Sequence, residues 1–524
     1  MHRVYRAVFL ASFLSVSVPP VPSAVAQEPA PTPASAEDQI QTASSKPTVE
    51  AVDELSQTSH RARIGGIDVD YTATAGRLVL RHSDGKPKAH MFFVAYTRDG
   101  QDVGSRPIAF AYNGGPGSAT IWLHMGVLGP KVVQMASEGF QPAPPYELVD
   151  NEHSLIDVTD IVAIDAISTG FSRAAEGEDP KQFHGVRQDI EAFSEFIRLY
   201  LTKFARWSSP KYLLGESYGT VRSAGVGHFL QRRHGIELNG MILVSSVIDF
   251  STLRGGPDND VQYPGFLPTY TVTAWYHQRL PSDLQADFDK AVREAREFAY
   301  GDYLVALNKG NRLTPAEWDA MAERVARYTG LSPEFIKQAN LRVSPARFRK
   351  ELLRDQRLVV GRLDSRFTAM DRDAAGERQE FDPSNTALQG AYTALFNDYV
   401  RSELGWESDD QYFTSGNVRP WDYGDFENRY LNLVDELRQT IARNPFLHVF
   451  VTNGYYDMAT PFAATEWTFD HLGYEPSFKE RVSMGYYEAG HMMYIHPDML
   501  RKFKEDVARF IEGSRTSMDE PTQP

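Results

Sequence analysis

The sequence predicts an α/β fold with a mixed, mostly parallel sheet and an inserted helical lid. Three observations predict it. Lys211-Tyr212-Leu213-Leu214-Gly215-Glu216-Ser217-Tyr218-Gly219-Thr220 reads as a short apolar strand running through a glycine-flanked serine into helix-compatible sequence, residues 218–232. Two later apolar runs, residues 447–452 and 481–486, end in loops that carry Asp457 and His491. Between Asp249 and Asn397 the chain becomes charged with a helical period, an insertion that separates the first strand–turn–helix from the two later strands.

Glycines on both sides of Ser217 suit a very tight strand-to-helix turn, because only a residue without Cβ tolerates the flanking backbone so close. Such a turn lifts the serine hydroxyl above the sheet edge as a nucleophile. Gly-x-Ser-x-Gly also occurs in ordinary loops, so the reading depends on an acid and a base following in order. Asn453-Gly454-Tyr455-Tyr456-Asp457 and Glu488-Ala489-Gly490-His491-Met492 supply them just past two strands, where an open α/β sheet places functional groups. His491 is expected to take the Ser217 proton, and Asp457 to orient His491 and stabilise its charged form. A turn aspartate and a solvated loop histidine are the plain alternatives, and the shared strand-end placement disfavours both. His496 is a rival histidine, but it precedes Pro497 at a helix start.

A length of 524 residues suits one large α/β domain with an insertion. Lys and Arg number 54 against 69 Asp and Glu, a net charge of −15, which disfavours nucleic acid and anionic membrane surfaces as partners. The absence of cysteine excludes disulfides, thiol chemistry and cysteine-ligated metals. No P-loop, internal repeat or metal-ligand cluster stands out, and no cofactor is expected.

Residues 1–26 read as a secretory signal. Arg3 and Arg6 precede a mostly apolar stretch, residues 7–18, and Ala24-Val25-Ala26 offers a cleavage site. Interrupted by Pro19 and Pro20, that stretch is too short for stable membrane insertion. Cleavage before Gln27 removes the two arginines and no acids, leaving 52 basic against 69 acidic residues, a net −17. Export without cysteine points to a bacterial periplasm or the extracellular space. Residues 27–57, Pro, Ala, Ser, Thr and Glu with little aliphatic content, read as a disordered spacer.

The first part of the core is expected over residues 58–270. Residues 63–70, 76–82 and 90–97 read as an antiparallel meander broken by Asp84-Gly85 and Asp99-Gly100. Ile108-Ala109-Phe110-Ala111-Tyr112 is a uniformly apolar strand entering Asn113-Gly114-Gly115-Pro116-Gly117-Ser118-Ala119. A glycine pair just past a strand lets backbone N–H groups point into one concavity, as an oxyanion hole needs, and a tight structural turn is the alternative. The N–H of Tyr218, next after the nucleophile, would be the other donor. Residues 161–164 and 240–245 add strands. Residues 186–204 form an amphipathic helix with Val186, Ile190, Phe193, Phe196, Ile197 and Leu201 on one face.

These motifs resemble the serine carboxypeptidase family of α/β hydrolases. The match runs in order through Asn113-Gly114-Gly115-Pro116-Gly117, Leu128-Gly129-Pro130, Asp165 with Thr169-Gly170-Phe171-Ser172, Gly215-Glu216-Ser217-Tyr218-Gly219, Asp457 and Gly490-His491-Met492. The resemblance implies the α/β-hydrolase fold and release of C-terminal residues from peptides with a free C-terminus, through an acyl-enzyme. It implies a Ser217–Asp457–His491 triad, an oxyanion hole of Gly115 and Tyr218, and a substrate carboxylate held by Asn113, Gly114 and Glu216. Departures from the family pattern are Ala111 where Trp is common, Ser118 where Cys is common and Val127 where Glu is common. Ala166-Ile167-Ser168 also lacks the expected proline and glycine. The missing cysteine agrees with a disulfide-free bacterial branch. Val127 removes the carboxyl that normally partners Glu216, so the pH window of peptide release is expected to move from the family habit. An esterase or acyltransferase on the same scaffold is the nearest competing reading, and a non-catalytic binding protein a more distant one.

Residues 271–390 are expected to form the lid, with helices over 284–298, 315–328 and 333–339 and Thr314 as N-cap of the second. The aromatic lead-in from Tyr263 through Trp275 to Tyr276 either lines a pocket or packs lid on core. Removal of roughly residues 280–375 is expected to leave Ser217, Asp457 and His491 in place and to alter substrate choice. Residues 391–513 return to the core through helices over 392–404, 426–442 and 497–511, and residues 514–524 form a loose tail. Nothing in the sequence sets an oligomeric state.

Overall fold

The computed structural model describes residues 52–473 and 476–516. Its main strands are β1 (Glu54–Ile64), β2 (Ile67–Arg81), β3 (Pro87–Arg98), β4 (Ile108–Tyr112), β5 (Asp160–Ile164), β6 (Arg173–Ala174), β7 (Lys211–Glu216), β8 (Gly240–Val244), β9 (His448–Gly454) and β10 (Val482–Tyr487). They form one ten-stranded sheet in the order β1-β2-β3-β5-β4-β7-β8-β9-β10, with β6 beside β3. The pairs from β1 to β5 are antiparallel, and those from β5 across to β10 are parallel. The chain has the α/β-hydrolase fold.

Uniformly apolar strands are the ones covered on both faces. In β4, Ile108, Phe110 and Tyr112 enter one hydrophobic cluster and Ala109 and Ala111 the other, as the two-residue period of a strand requires. The longer helices are α1 (Val186–Lys203), α2 (Tyr218–Phe229), α3 (Gln262–Tyr276), α4 (Phe288–Phe298), α5 (Pro315–Thr329), α6 (Pro383–Ser402), α7 (Val434–Arg443) and α8 (Pro497–Thr516). Helices α1, α2 and α7 cover the Phe110 face, and α6 and α8 the Ala111 face.

Several expectations need correction. β1 begins at Glu54, inside the stretch read as spacer. Residues 63–70 are not one strand, because Gly65 and Gly66, at φ of 59° and 82°, make the tight turn between β1 and β2. Helix α7 starts at Val434 rather than near 426, since Asn428, within the expected helix, takes a φ of 65°, outside the helical range. Helix α8 continues to Thr516, into the stretch read as a loose tail. The stretch read as a signal sequence and most of that read as a spacer lie outside the described residues.

The segment between β8 and β9 supplies nearly all of a further hydrophobic cluster, which Met458 from the loop after β9 joins. Tyr270 of α3 stacks on Phe348 with ring centroids 4.1 Å apart, and Trp275 meets Phe288 edge-on while donating to the Gln285 carbonyl at 3.0 Å. At Tyr270 and Trp275 the lead-in aromatics pack the insertion itself. Thr314 caps α5 in a capping box with Glu317. A short hairpin, Leu358–Val360 with Thr368–Met370, was not legible in the sequence, and its turn reaches the candidate site.

Candidate active site

Strand β7 ends at Glu216 and α2 begins at Tyr218, leaving Ser217 at φ 61° and ψ −127°. A non-glycine residue there costs on the order of 1–3 kcal/mol and must be held by its surroundings. Ser217 N–H donates to the Val244 carbonyl of β8 at 2.9 Å, and its own carbonyl accepts Thr220 N–H at 2.9 Å and Thr220 Oγ1 at 2.8 Å. A Cβ on Gly215 would collide with the Gly219 carbonyl oxygen, so the turn closes only with glycine at that place.

Asp457 and His491 come from the loops after β9 and β10. Fully buried Asp457 accepts Ala459 N–H at 2.7 Å and Thr460 N–H at 3.0 Å on one oxygen. Its other oxygen accepts Thr460 Oγ1 at 2.6 Å and His491 Nδ1 at 2.7 Å. Burial disfavours the His491 imidazolium, but the charge and hydrogen bond of Asp457, helped by the charge of Glu216, outweigh it and raise the histidine above its ordinary pKa. The end of β8 holds both sides of the site: Val244 takes Ser217 N–H, and Ser245 Oγ donates to the His491 carbonyl at 2.6 Å. The structure joins Asp457 to His491 directly, and among the described residues it forms no Ser217–His491 hydrogen bond. His496 is at the start of α8, where its Nδ1 accepts Asp498 N–H at 3.2 Å.

The loop after β4 lies against the start of α2. A Cβ on Gly114 would collide with the backbone nitrogen of Tyr218, and the Asn113 carbonyl accepts Arg222 Nη1 of α2 at 2.6 Å. Arg222 is itself fully buried and paired with Asp189 of α1 at 2.8 Å. Gly115, at φ 107°, is exposed beside this junction. Asp165 anchors the far end of the loop by accepting Thr120 N–H at 2.8 Å, and burial pushes its carboxyl up to about 6.

Glu216 faces the same junction and is 3 % exposed. Its Oε1 accepts Asn113 Nδ2 at 2.7 Å and its Oε2 accepts the Tyr494 hydroxyl at 2.6 Å. Burial raises its pKa from 4.5 to about 7, opposed by the charge of His491 and the hydrogen bonds from Tyr494 and Asn113, and supported by the charge of Asp457. Sequence reasoning missed Tyr494, which carries no motif of its own. Its one signal is position, three residues beyond His491 in the same loop. A Cβ on Gly126 would collide with the Tyr494 ring, so that glycine makes the space the phenol occupies. Val127, beside it, is fully buried in the core.

The turn of the insertion hairpin was missed as well. Met458 N–H donates to the Arg362 carbonyl at 3.1 Å, Ser365 N–H to the Tyr456 carbonyl at 3.0 Å, and His491 N–H to the Leu363 carbonyl at 2.6 Å. Asp364, in a buried pair with Arg366, accepts Gly490 N–H at 2.9 Å. This corrects the expectation of a separable lid, because residues 362–365 bind both loops that carry Asp457 and His491.

A serine on a strained strand-to-helix turn, an aspartate–histidine pair and a buried carboxyl raised to about 7 can together support acyl transfer. Among solved structures, the fold resembles Kex1(Δ)p, a prohormone-processing carboxypeptidase from Saccharomyces cerevisiae, at 16 % identity and a TM-score of 0.53, over 84 % of this chain and 91 % of that one. A proline iminopeptidase from Mycobacterium smegmatis aligns at 12 % identity and a TM-score of 0.34, over 84 % of this chain and 99 % of that one. No curated protein matches the sequence. The sequence model of the serine carboxypeptidase family matches residues 74–495, most of the folded chain. The chain belongs to the serine carboxypeptidase family and is an enzyme of the hydrolase class.

Proposed function

We propose that the protein is an exported serine carboxypeptidase that removes C-terminal residues from peptides. Ser217 Oγ attacks the last peptide carbonyl while His491 takes its proton, and Asp457 stabilises the imidazolium. The N–H groups of Gly115 and Tyr218 hold the oxyanion. His491 then passes the proton to the departing amino acid, and water releases the acyl-enzyme by the same route in reverse. Asn113, Gly114 and Glu216 hold the substrate's terminal carboxylate, and the insertion shapes substrate choice from above.

Glu216 is the observation that carries the reading. A carboxyl raised to about 7 keeps its proton in acid and sets no charge against a free C-terminus, where an ionised one would repel it. Export rests on residues 1–26, with their basic start, apolar stretch and Ala24-Val25-Ala26. The test compares one peptide with a free or an amidated C-terminus, products being read by mass spectrometry. Loss of single C-terminal residues from the free form alone is expected. Equal rates on both, or hydrolysis of esters only, would reject the reading in favour of an esterase.

A further inference from the structure

Glu216 has two oxygens and two hydrogen-bond partners of different kinds. Asn113 Nδ2 can only donate, whereas the Tyr494 hydroxyl can donate or accept. No second carboxyl is hydrogen-bonded to Glu216 among the described residues. The neighbouring groups whose charge or ionisation bears on it are His491 and Asp457 from the loops after β10 and β9, Tyr392 from α6, and Tyr494 itself. The phenol stays neutral throughout, since burial, and then the charges of Glu216 and Tyr392, raise its pKa well above the ordinary value.

We infer that Tyr494 is the positioning residue that sets the charge of Glu216, donating its O–H to the ionised carboxylate and accepting a hydrogen bond from the protonated carboxyl when a carboxylate ligand enters, so that the cradle exchanges one proton and never carries two negative charges of its own. The proton balance is simple. With Glu216 ionised, the phenol hydrogen lies on Glu216 Oε2. When one proton is taken from solvent, Glu216 Oε2–H donates to Tyr494 Oη, and the phenol hydrogen is free to turn to another acceptor. One O–H bond forms, on Glu216 Oε2 with the proton from solvent, and otherwise only hydrogen bonds change. A second carboxyl in the same place would add a second ionisation and a second charge, and a phenol adds neither. The ligand class this selects is a carboxylate presented next to Ser217, which rests on the carboxypeptidase reading and narrows it.

The experiment reads Glu216 directly, without substrate, by infrared titration of the carboxyl band in the wild-type enzyme and in Tyr494→Phe, with Glu216→Gln identifying the band. Loss of a donor to the charged form should move the Glu216 titration up by about one pH unit. The alkaline limb of kcat/KM on a peptide with a free C-terminus should move up by the same amount, and small-ester hydrolysis should not follow. A merely structural phenol would change rates without moving either titration. If Tyr494→Phe does not fold, Gly126→Ala, which presses on the Tyr494 ring, should move the band in the same direction. An unmoved or lowered Glu216 titration in a folded variant overturns the inference. A shifted band in an enzyme indifferent to C-terminal amidation would sustain the charge-setting pair and sink the carboxypeptidase reading instead.

Discussion

Leu363, in the insertion between β8 and β9, accepts the backbone N–H of His491 through its carbonyl at 2.6 Å. The histidine loop and the aspartate loop are thereby built partly from a segment about a hundred residues away in sequence. Asp364 adds the bond to Gly490, and its carboxylate is buried against Arg366, the two side chains being 3 % and 2 % exposed.

Asp364→Ala leaves the Arg366 guanidinium buried without its partner, which costs on the order of 3–5 kcal/mol. Thermal unfolding should report that loss. Well below the new midpoint, kcat should fall by about a hundredfold, because His491 loses part of its frame. Wild-type kcat in a folded variant would deny the hairpin turn any part in the site.

Ser217→Ala and His491→Ala should each lower kcat/KM by several orders of magnitude with little change in folding. The double variant should be scarcely worse than either single one, since the two groups act as a unit. Steady-state kinetics and labelling with a serine-directed fluorophosphonate measure this. Near-normal turnover in Ser217→Ala would remove the nucleophile assignment.

Glu216 gives a pH dependence of definite sign. Its folded pKa, about 7, lies above its ordinary 4.5, so the folded state binds the extra proton and stability falls as pH rises through that window. Glu216→Gln removes this slope and should flatten both the stability loss between about 4.5 and 7 and the alkaline decline of peptide release. Small-ester hydrolysis should stay nearly unchanged. Parallel unfolding and kcat/KM series against pH would reveal a contradiction as an unaltered slope.

The mature chain should begin at Gln27 and be indifferent to reducing agents, having no cysteine. N-terminal sequencing of secreted protein that still begins at Met1 would reject the signal reading.

What was legible in the sequence was local. Ser217, Asp457 and His491 each stand in a short pattern at a strand end, and the structure joins the last two by a hydrogen bond. Tyr494 and Leu363 were not legible, because their roles arise only from contacts across the fold. A phenol in an apolar loop and a backbone carbonyl in a hairpin turn leave no periodicity or motif to read. The β1–β2 break is masked for a different reason: strand-like alternation continues on both sides of Gly65-Gly66. The start of helix α7 is not legible because nothing in the pattern around Asn428 announces its left-handed conformation.

The attachment at Leu363 bears on how such enzymes can be re-engineered. Insertions in α/β folds invite treatment as interchangeable cassettes, grafted from one relative to another to import a new preference. Here the graft boundary cannot fall at the obvious edges of the helical segment. A donor cassette that lacks its own equivalent of Arg362-Leu363-Asp364-Ser365 would deliver a new roof and at the same time unhook the recipient's His491 loop. The workable exchange keeps those four residues with the recipient and replaces only what lies outside them.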